Sequence, residues 1–294
     1  MNCSSLTGVV FPDSIKEIGA GAFDNTGLKK VELPGCKLNR GVFWDCEQLE
    51  TVIIGEGTEI IPEACFRYCR NLKSIMLPDS VKEIQCGAYD SDGAFADCES
   101  LETVSIGAGI ETIDRRAFRT TGKGLDVTFR EGTRMIPDFA FRERSELVRL
   151  VIPESAIMLG GLAVSGCDNL RTIIFRSPAC VIPDTADAIP ENAVIYGWNN
   201  STAHEYAEKY GRTFVPLREN DTTVLFSCDL NLDGKTDRAD AELLFRVIAE
   251  APADGDTPDF DMLCAADLDC SGTLTLMDVS LMLKAVQAAD QPVP

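Results

Sequence analysis

The chain has 294 residues, of which 45% are apolar and 25% charged, a balance typical of a folded protein that excludes a disordered or fibrous chain. Its 27 Lys and Arg face 47 Asp and Glu, so the formal charge of −20 makes nucleic acid and anionic membranes poor partners. A single histidine, His204, argues against His-based catalysis and His-rich metal sites. Residues 219–294 hold 16 acidic and 4 basic side chains, so this segment is expected to be a different kind of module.

A repeat of about 23 residues runs through the first 215 residues and predicts their fold. Each copy has a large apolar residue at one position: Phe23, Phe43, Phe66, Phe95, Phe118, Phe141 and Val164. A leucine follows each one: Leu28, Leu49, Leu72, Leu101, Leu125, Leu147 and Leu170. An apolar pair then occupies alternate positions, as in Val31/Leu33, Val52/Ile54, Ile75/Leu77, Val104/Ile106, Leu150/Ile152 and Ile173/Phe175. A second apolar anchor recurs at Ile18, Ile61, Ile84, Ile113, Ile136, Leu159 and Ile182.

Alternation over so few residues predicts short β-strands whose alternate side chains face one core. Single strands of this length cannot bury a core, but neighbouring copies can do so by stacking. We therefore expect a right-handed solenoid with a parallel sheet on one face and turns or irregular coil on the other. Pro and Gly end the strands, as in Leu77-Pro78 and Ile54-Gly55. One repeat of 29 residues carries about six extra residues, from Gln85 to Gly93, which are expected to form a loop.

The repeats resemble the BspA-like leucine-rich repeats of bacterial surface and secreted proteins, most fully at Leu72 to Cys98 and Leu101 to Phe118. The resemblance covers about residues 1–216 and implies adhesion and protein binding. Residues 194–211 resemble that family's C-terminal cap, and their pattern predicts a last strand and a short amphipathic helix that close the stack. Cys3 precedes a leucine at the spacing of later repeats, so the chain is expected to begin inside a repeat of a longer protein. No apolar run reaches the ~18 residues of a membrane-spanning helix.

Five of the twelve cysteines occupy one repeat position: Cys3, Cys46, Cys69, Cys98 and Cys167. Neighbouring rungs lie ~4.8 Å apart, which permits disulfides between adjacent copies. A disulfide framework would not follow the phase of the repeat, however, so free thiols in the core are expected for most of them. No C-x-x-C pair occurs, which argues against a zinc or redox site. His204 is expected to be exposed on the cap helix.

Two twelve-residue segments near the end of the chain have the ligand spacing of calcium-binding loops. Residues 229–240 and 267–278 place oxygen-bearing side chains at positions 1, 3, 5 and 12 and glycine at position 6. This spacing predicts two calcium ions as cofactors. The expected ligands of the first ion are Asp229, Asn231, Asp233, the Lys235 carbonyl, Asp237 through water, and Asp240. Those of the second are Asp267, Asp269, Ser271, the Thr273 carbonyl, Thr275 through water, and Asp278.

Each loop runs into an amphipathic helix, at 241–248 and 279–286, and no entering helix precedes it. This duplicated unit with Asp at position 12 resembles the dockerin module over about residues 221–294. The resemblance implies calcium-dependent binding to a cohesin module of a scaffoldin. The residues at or beside the family's cohesin-contacting positions are Arg238, Ala239, Phe245, Arg246, Leu276, Met277, Leu283 and Lys284. They depart from the usual Ser-Thr and basic pairs, so the cohesin type is open, and Met277 and Leu283 fit equally well as packing between the two helices.

The expected fold class is therefore mixed: a leucine-rich-repeat solenoid over 1–216, a linker over 217–221, and a small all-α, EF-hand-like dockerin module over 222–294. No nucleophile–base pair or phosphate-binding loop is evident, so non-enzymatic attachment is the expected function. We expect a secreted, extracellular component that a scaffoldin holds on a cellulosome or cell surface, while the solenoid presents a surface to a protein or a glycan. Two alternatives stay open: an accessory fragment of a cellulosomal hydrolase whose catalytic domain lies upstream, and a calcium-responsive sensor.

Overall fold

The computed structural model describes residues 3–87 and 93–217 of the chain. The chain divides into two compact units, Met1–Pro216 and Leu217–Pro294. The described part of the first unit is a parallel β-solenoid in which each repeat forms one rung, which confirms the predicted leucine-rich-repeat fold. Within this described part, no helix has both the length and the apolar character needed to cross a membrane.

Nine strands form one parallel sheet along the stack, in the order of the sequence. They are β2 (Lys30–Leu33), β4 (Thr51–Ile54), β6 (Ser74–Met76), β8 (Thr103–Ile106), β10 (Leu125–Phe129), β12 (Leu147–Ile152), β14 (Thr172–Phe175), β15 (Val194–Gly197) and β16 (Phe214–Pro216). The register pairs Val31 with Val52 and Val104 with Val127, so each repeat position meets itself in the next rung. The predicted strands are confirmed. Val127 and Phe129 of β10 form a further buried pair that the repeat pattern did not predict.

Stacked phenylalanine rings form a column through the core. The rings of Phe23, Phe43, Phe66, Phe95, Phe118 and Phe141 follow one another with centroid separations between 5.2 and 5.8 Å. Val164 is fully buried at the same repeat position. Each ring removes a large apolar area from water and contacts a ring on both sides, so the column stabilises neighbouring rungs against each other.

Two-residue strands occupy the side of the rungs where turns or irregular coil were expected. They are β1 (Glu17–Ile18), β3 (Lys37–Leu38), β5 (Ile60–Ile61), β7 (Glu83–Ile84), β9 (Thr112–Ile113), β11 (Met135–Ile136) and β13 (Met158–Leu159). This side is therefore more regular than the sequence predicted, because backbone groups of adjacent rungs need partners here as well. The second residue of each strand is the buried anchor. Leu38 is an anchor that the repeat spacing missed, and Ile182 is only half-buried and lies outside a strand.

Prolines divide these short strands into three small sheets: β1 with β3, then β5, β7 and β9, then β11 with β13. Where the ladder is continuous, the residue after the anchor donates its N–H to the anchor carbonyl of the previous rung. Gln85, Asp114 and Gly160 make this bond, each at 2.9 Å. Pro62 and Pro137 occupy the same position in the two rungs where the ladder stops, and Pro183 occupies it in the rung that pairs with β13 only through the bridge between Met158 and Val181. Because proline has no N–H, it cannot make the bond, and the ladder is interrupted there.

The repeated cysteine position places a thiol against the backbone of the previous rung. Each thiol donates a hydrogen bond to a phenylalanine carbonyl: Cys46 to Phe23 (3.0 Å), Cys69 to Phe43 (3.3 Å), Cys98 to Phe66 (3.1 Å) and Cys167 to Phe141 (2.9 Å). These four thiols are buried and free, as predicted, whereas Cys3 is exposed. Burial raises the pKa of Cys167 to about 12. Thr26 and Thr121 fill the same position in two other rungs and Arg144 fills it in a third, so the position usually holds a small side chain that can form a hydrogen bond.

A cap closes the stack at its C-terminal end. Helix α1 (Thr202–Tyr210) begins at Ser201, whose hydroxyl accepts a hydrogen bond from the His204 N–H, and ends at Gly211 with a φ of 64°. The predicted strand and helix are confirmed, and β16 is an additional strand that the sequence did not reveal. The expected exposure of His204 was wrong: it is half-buried, because its ring stacks on Phe214 with centroids 4.4 Å apart.

Candidate binding surface of the solenoid

The predicted site residues of the acidic segment lie outside the described residues. This holds for both calcium loops, 229–240 and 267–278, and for the predicted cohesin-contacting residues from Arg238 to Lys284. Within 3–87 and 93–217, no group of three or more His, Cys, Asp or Glu side chains could hold a metal ion. The candidate site of this part of the chain is therefore a surface of the solenoid.

Carboxylates join successive turns at the edge of the main sheet. Both oxygens of Glu56 accept hydrogen bonds from the next turn, one from the Asp79 N–H and one from the Ser80 N–H, each at 3.1 Å. Glu131 does the same with the N–H groups of Glu154 (3.0 Å) and Ser155 (3.2 Å). In both places a Glu-Gly-Thr turn precedes a Pro-acid-Ser turn in the sequence, and the glutamate joins the two turns. These turns are held by their neighbours and form a fixed edge.

A partly buried ion pair lies on the outward face of the main sheet. The Arg149 guanidinium lies 2.5 Å from a carboxylate oxygen of Asp126 on the adjacent strand. Burial raises the pKa of Asp126, and the arginine opposes that shift. The two charges neutralise each other. The pair therefore joins two adjacent strands and presents little net charge to a ligand.

A groove of about 520 Å³ opens on the short-strand side, where Pro62 interrupts the ladder. Three consecutive rungs line it: Lys37, Leu38, Asn39 and Arg40 from the first, Gly57, Glu59, Ile60, Pro62 and Glu63 from the second, and Gln85 from the third. Its volume lies within the ~300–1,000 Å³ typical of small-ligand sites. The groove at the interruption between β3 and β5 is therefore large enough to hold a small ligand.

Hydrogen bonds between the rungs enclose the interruption on both sides. Before it, the Cys36 N–H donates to the Thr58 hydroxyl at 3.4 Å. After it, the Gly41 N–H donates to the Glu63 carbonyl at 3.0 Å. Between these points the described residues show no pairing of β3 with β5. The groove is therefore a bounded opening in an otherwise bonded stack, not a frayed end.

The charges that line the groove are paired within the protein. Lys37 contacts Glu17 at 2.8 Å, Arg40 contacts Glu63 at 3.1 Å, and Glu59 contacts Lys82 at 3.2 Å. The hydrogen bond from Lys37, together with one from Asn39, lowers the pKa of Glu17. The two cations and two carboxylates that line the groove give it no net charge.

Amide oxygens, a backbone carbonyl and the apolar residues Leu38, Ile60 and Pro62 complete the lining. The Asn39 amide nitrogen donates to Glu17 and to the Ile18 carbonyl, and the Gln85 amide nitrogen donates to Glu83. Their amide oxygens are thus left as acceptors. The Leu38 carbonyl receives no N–H from Pro62. Ile60 is 38% exposed among these polar groups.

The groove was not predicted from the sequence. Asn39, Pro62 and Gln85 occupy one repeat position, directly after the anchor, and differ from each other there. A proline at that position is a signal that could have located the interruption, because it removes the donor that neighbouring rungs use.

A second surface feature of the short strands is an apolar column near the C-terminal end of the stack. Met135 pairs with Met158, and Met158 with Val181, all three at outward and exposed positions. Ile157 and Phe139 are exposed beside this column. The same outward position is Glu17, Lys37 and Glu83 in other rungs, so the chemistry of this face changes along the stack.

A protein-family comparison identifies the repeats. The model of the BspA type leucine-rich repeat region matches in six copies, over residues 1–91 and 91–186. The chain belongs to the BspA-type leucine-rich repeat family. Its phenylalanine column and repeated thiols are thus features of BspA-type rungs in this chain. A comparison with curated proteins found no match.

Three solved structures are similar to the chain. A leucine-rich repeat protein from Bacteroides ovatus is 18% identical over 74% of this chain and 73% of its own, with a TM-score of 0.32. The T. pallidum leucine-rich repeat protein is 18% identical over 68% and 78%, with a TM-score of 0.34. A leucine rich cell surface protein from Faecalibacterium prausnitzii is 18% identical over 70% and 77%, with a TM-score of 0.24. At these values they add no argument to the family match.

Proposed function

We propose that this protein is a secreted, non-catalytic attachment protein. The acidic C-terminal module binds a cohesin of a scaffoldin in a calcium-dependent manner, and the BspA-type solenoid presents a surface to a second ligand. The calcium-dependent binding of a cohesin is supported by two twelve-residue segments, 229–240 and 267–278. Each has oxygen ligands at the required spacing and glycine at position 6. The presentation of a binding surface by the solenoid is supported by membership in a repeat family, since stacked repeats create extended binding surfaces.

Calcium would fold the acidic module by neutralising its carboxylates. Asp229, Asn231, Asp233 and Asp240 are the side-chain ligands proposed for the first ion, and Asp267, Asp269, Ser271 and Asp278 those for the second. The first loop should bind more tightly, because Asp233 supplies a charge where Ser271 does not. At ~100-fold its dissociation constant, each ion would add about 2.7 kcal/mol to the stability of the module.

The test is calorimetric titration of the full chain against a panel of cohesins, with calcium and with a chelator. We expect one cohesin to bind only when calcium is present. Replacing Asp229 and Asp267 together by Ala should abolish this binding and leave the solenoid folded. The matched control replaces Asp254 and Asp256, which lie between the loops, and should bind as the native chain does. Unchanged affinity after removal of Asp229 and Asp267 would refute the role of the metal.

A further inference from the structure

The ladder interruption at Pro62 leaves three hydrogen-bond acceptors in the lining of the groove. The amide oxygens of Asn39 and Gln85 are left free by the donor bonds of their nitrogens. The carbonyl of Leu38 lies at the position where other rungs receive an N–H, and Pro62 has none to give. A buried or half-buried acceptor without a donor is costly, so this lining favours a ligand rich in hydrogen-bond donors.

The charge balance of the groove favours a neutral ligand over a strongly charged one. Lys37 and Arg40 are each bonded to a glutamate, and Glu59 is bonded to Lys82. An anion or a cation would have to break one of these pairs to gain a partner, and it would meet a repelling charge beside it. A neutral molecule with many hydroxyl groups meets no such penalty.

An extended peptide fits the groove less well than a compact polyol does. Peptides that bind to sheets add a strand to an open edge. Here the hydrogen bonds of Cys36 and Gly41 enclose the interruption on both sides, so a strand has no open edge to continue. Ile60 instead offers a small apolar surface next to the acceptors, which suits the C–H face of a sugar ring.

From these contacts we propose that the groove over the Pro62 interruption binds a neutral oligosaccharide. This inference rests on the proposed function, since it names the ligand class of the solenoid surface. The sugar hydroxyls donate to the amide oxygens of Asn39 and Gln85 and to the Leu38 carbonyl. The ion pairs of the lining stay intact.

The experiment is calorimetric titration of the full chain with three tetrasaccharides that differ in charge: neutral cellotetraose, cationic tetraglucosamine and anionic tetragalacturonate. Neutral xylotetraose and mannotetraose extend the neutral set, and a pool of extended decapeptides is the protein-like probe. We expect binding of at least one neutral sugar, with no detectable binding of the charged sugars or the peptides. Binding of only a charged sugar or of the peptides, or of none of the neutral sugars, would overturn the proposal.

Two sets of variants connect that binding to the groove. The double variant Asn39→Ala with Gln85→Ala removes two acceptors and should weaken the neutral sugar at least about tenfold. Its control, Asn169→Ala with Asn192→Ala, removes two surface amides from other turns and should bind as the native chain does. Sugar affinity that is unchanged by the first pair, or lowered equally by both, contradicts the assignment.

Pro62→Ala tests the cause of the opening itself. The new N–H can donate to the Leu38 carbonyl, join β3 to β5 and remove an acceptor, so we expect sugar binding to fall about fivefold or more. Pro137→Ala makes the same change at the other interruption and should leave binding unaffected. All titrations are repeated in chelator, where sugar binding should persist while cohesin binding is lost. A failed cohesin interaction thus leaves the sugar result standing, and a failed sugar interaction leaves the cohesin result standing.

Discussion

Replacement of Phe95 by Ala is the sharpest test of the phenylalanine column. The Phe95 ring is fully buried between two others, with centroids 5.4 Å from Phe66 and 5.2 Å from Phe118 and interplanar angles of 11° and 1°. Truncation leaves a cavity in the middle of the stack and removes both ring contacts. Fully buried Phe→Ala changes cost about 3–5 kcal/mol, and the upper part of that range applies where the surroundings cannot collapse. The backbone bonds between rungs restrict collapse here.

The loss should also change the shape of the unfolding transition. In a stacked repeat protein each rung contacts only its neighbours, so a defect in one rung weakens the coupling between the two halves. We expect urea denaturation followed by far-ultraviolet circular dichroism to show a lower midpoint and a broader transition. A native-like slope with a lower midpoint would mean that the solenoid still unfolds as one cooperative unit.

Phe139→Ala is the matched control for Phe95→Ala. Phe139 lies in the same solenoid but is 42% exposed, and its ring contacts the Arg142 guanidinium instead of another phenylalanine. Its removal should cost less than about 1 kcal/mol. Equal destabilisation by the two variants would refute the argument that ring stacking between rungs stabilises the core.

Two further predictions concern the turns and the thiols. Glu131→Ala removes the acceptor for two N–H groups of the next turn and should cost about 1 kcal/mol in urea denaturation, whereas Glu154→Ala, whose carboxylate makes no such bond, should cost little. The folded Cys167 thiol keeps its proton up to about pH 12, because burial raises its pKa, whereas the unfolded thiol ionises near pH 9. Between these values the contribution of Cys167 to the free energy of unfolding therefore declines by about 1.4 kcal/mol per pH unit. Cys167→Ala should remove this contribution, so stability should fall less steeply above pH 9. An equal slope in the native chain and in Cys167→Ala would contradict the assignment.

The main sheet and its core could be predicted because the same residue types return at the same spacing. Val31, Val52 and Val104 each mark an inward strand position, and period-two alternation allows only one face for them. The pair Val127 and Phe129 keeps the usual distance from its phenylalanine, Phe118, but was missed because the leucine of this repeat, Leu125, falls one position later than in the neighbouring repeats. The structure absorbs this shift as an irregularity after Leu125.

The short strands could not be predicted for a different reason. Each consists of two residues, such as Lys37 and Leu38, and two residues carry no periodic signal. Their pairing arises only after the main sheet has fixed the rung spacing. The groove beyond them depends on a missing N–H at Pro62, which is visible in the sequence only when the rungs are already aligned.

The solenoid separates the residues that maintain the fold from those that can vary with the ligand. Inward positions of the short strands stay apolar in every rung, because each must fill the same core. Outward positions of the same strands carry no such constraint, and along the stack they read Glu17, Lys37, Ile60, Glu83, Thr112, Met135 and Met158. The residue directly after the anchor also differs between rungs, as Asn39, Pro62 and Gln85 show, and a proline there opens the backbone. A change at one of these two positions can therefore create or remove a binding site without disturbing the phenylalanine column, which is why ligand recognition in this chain is expected on the short-strand face.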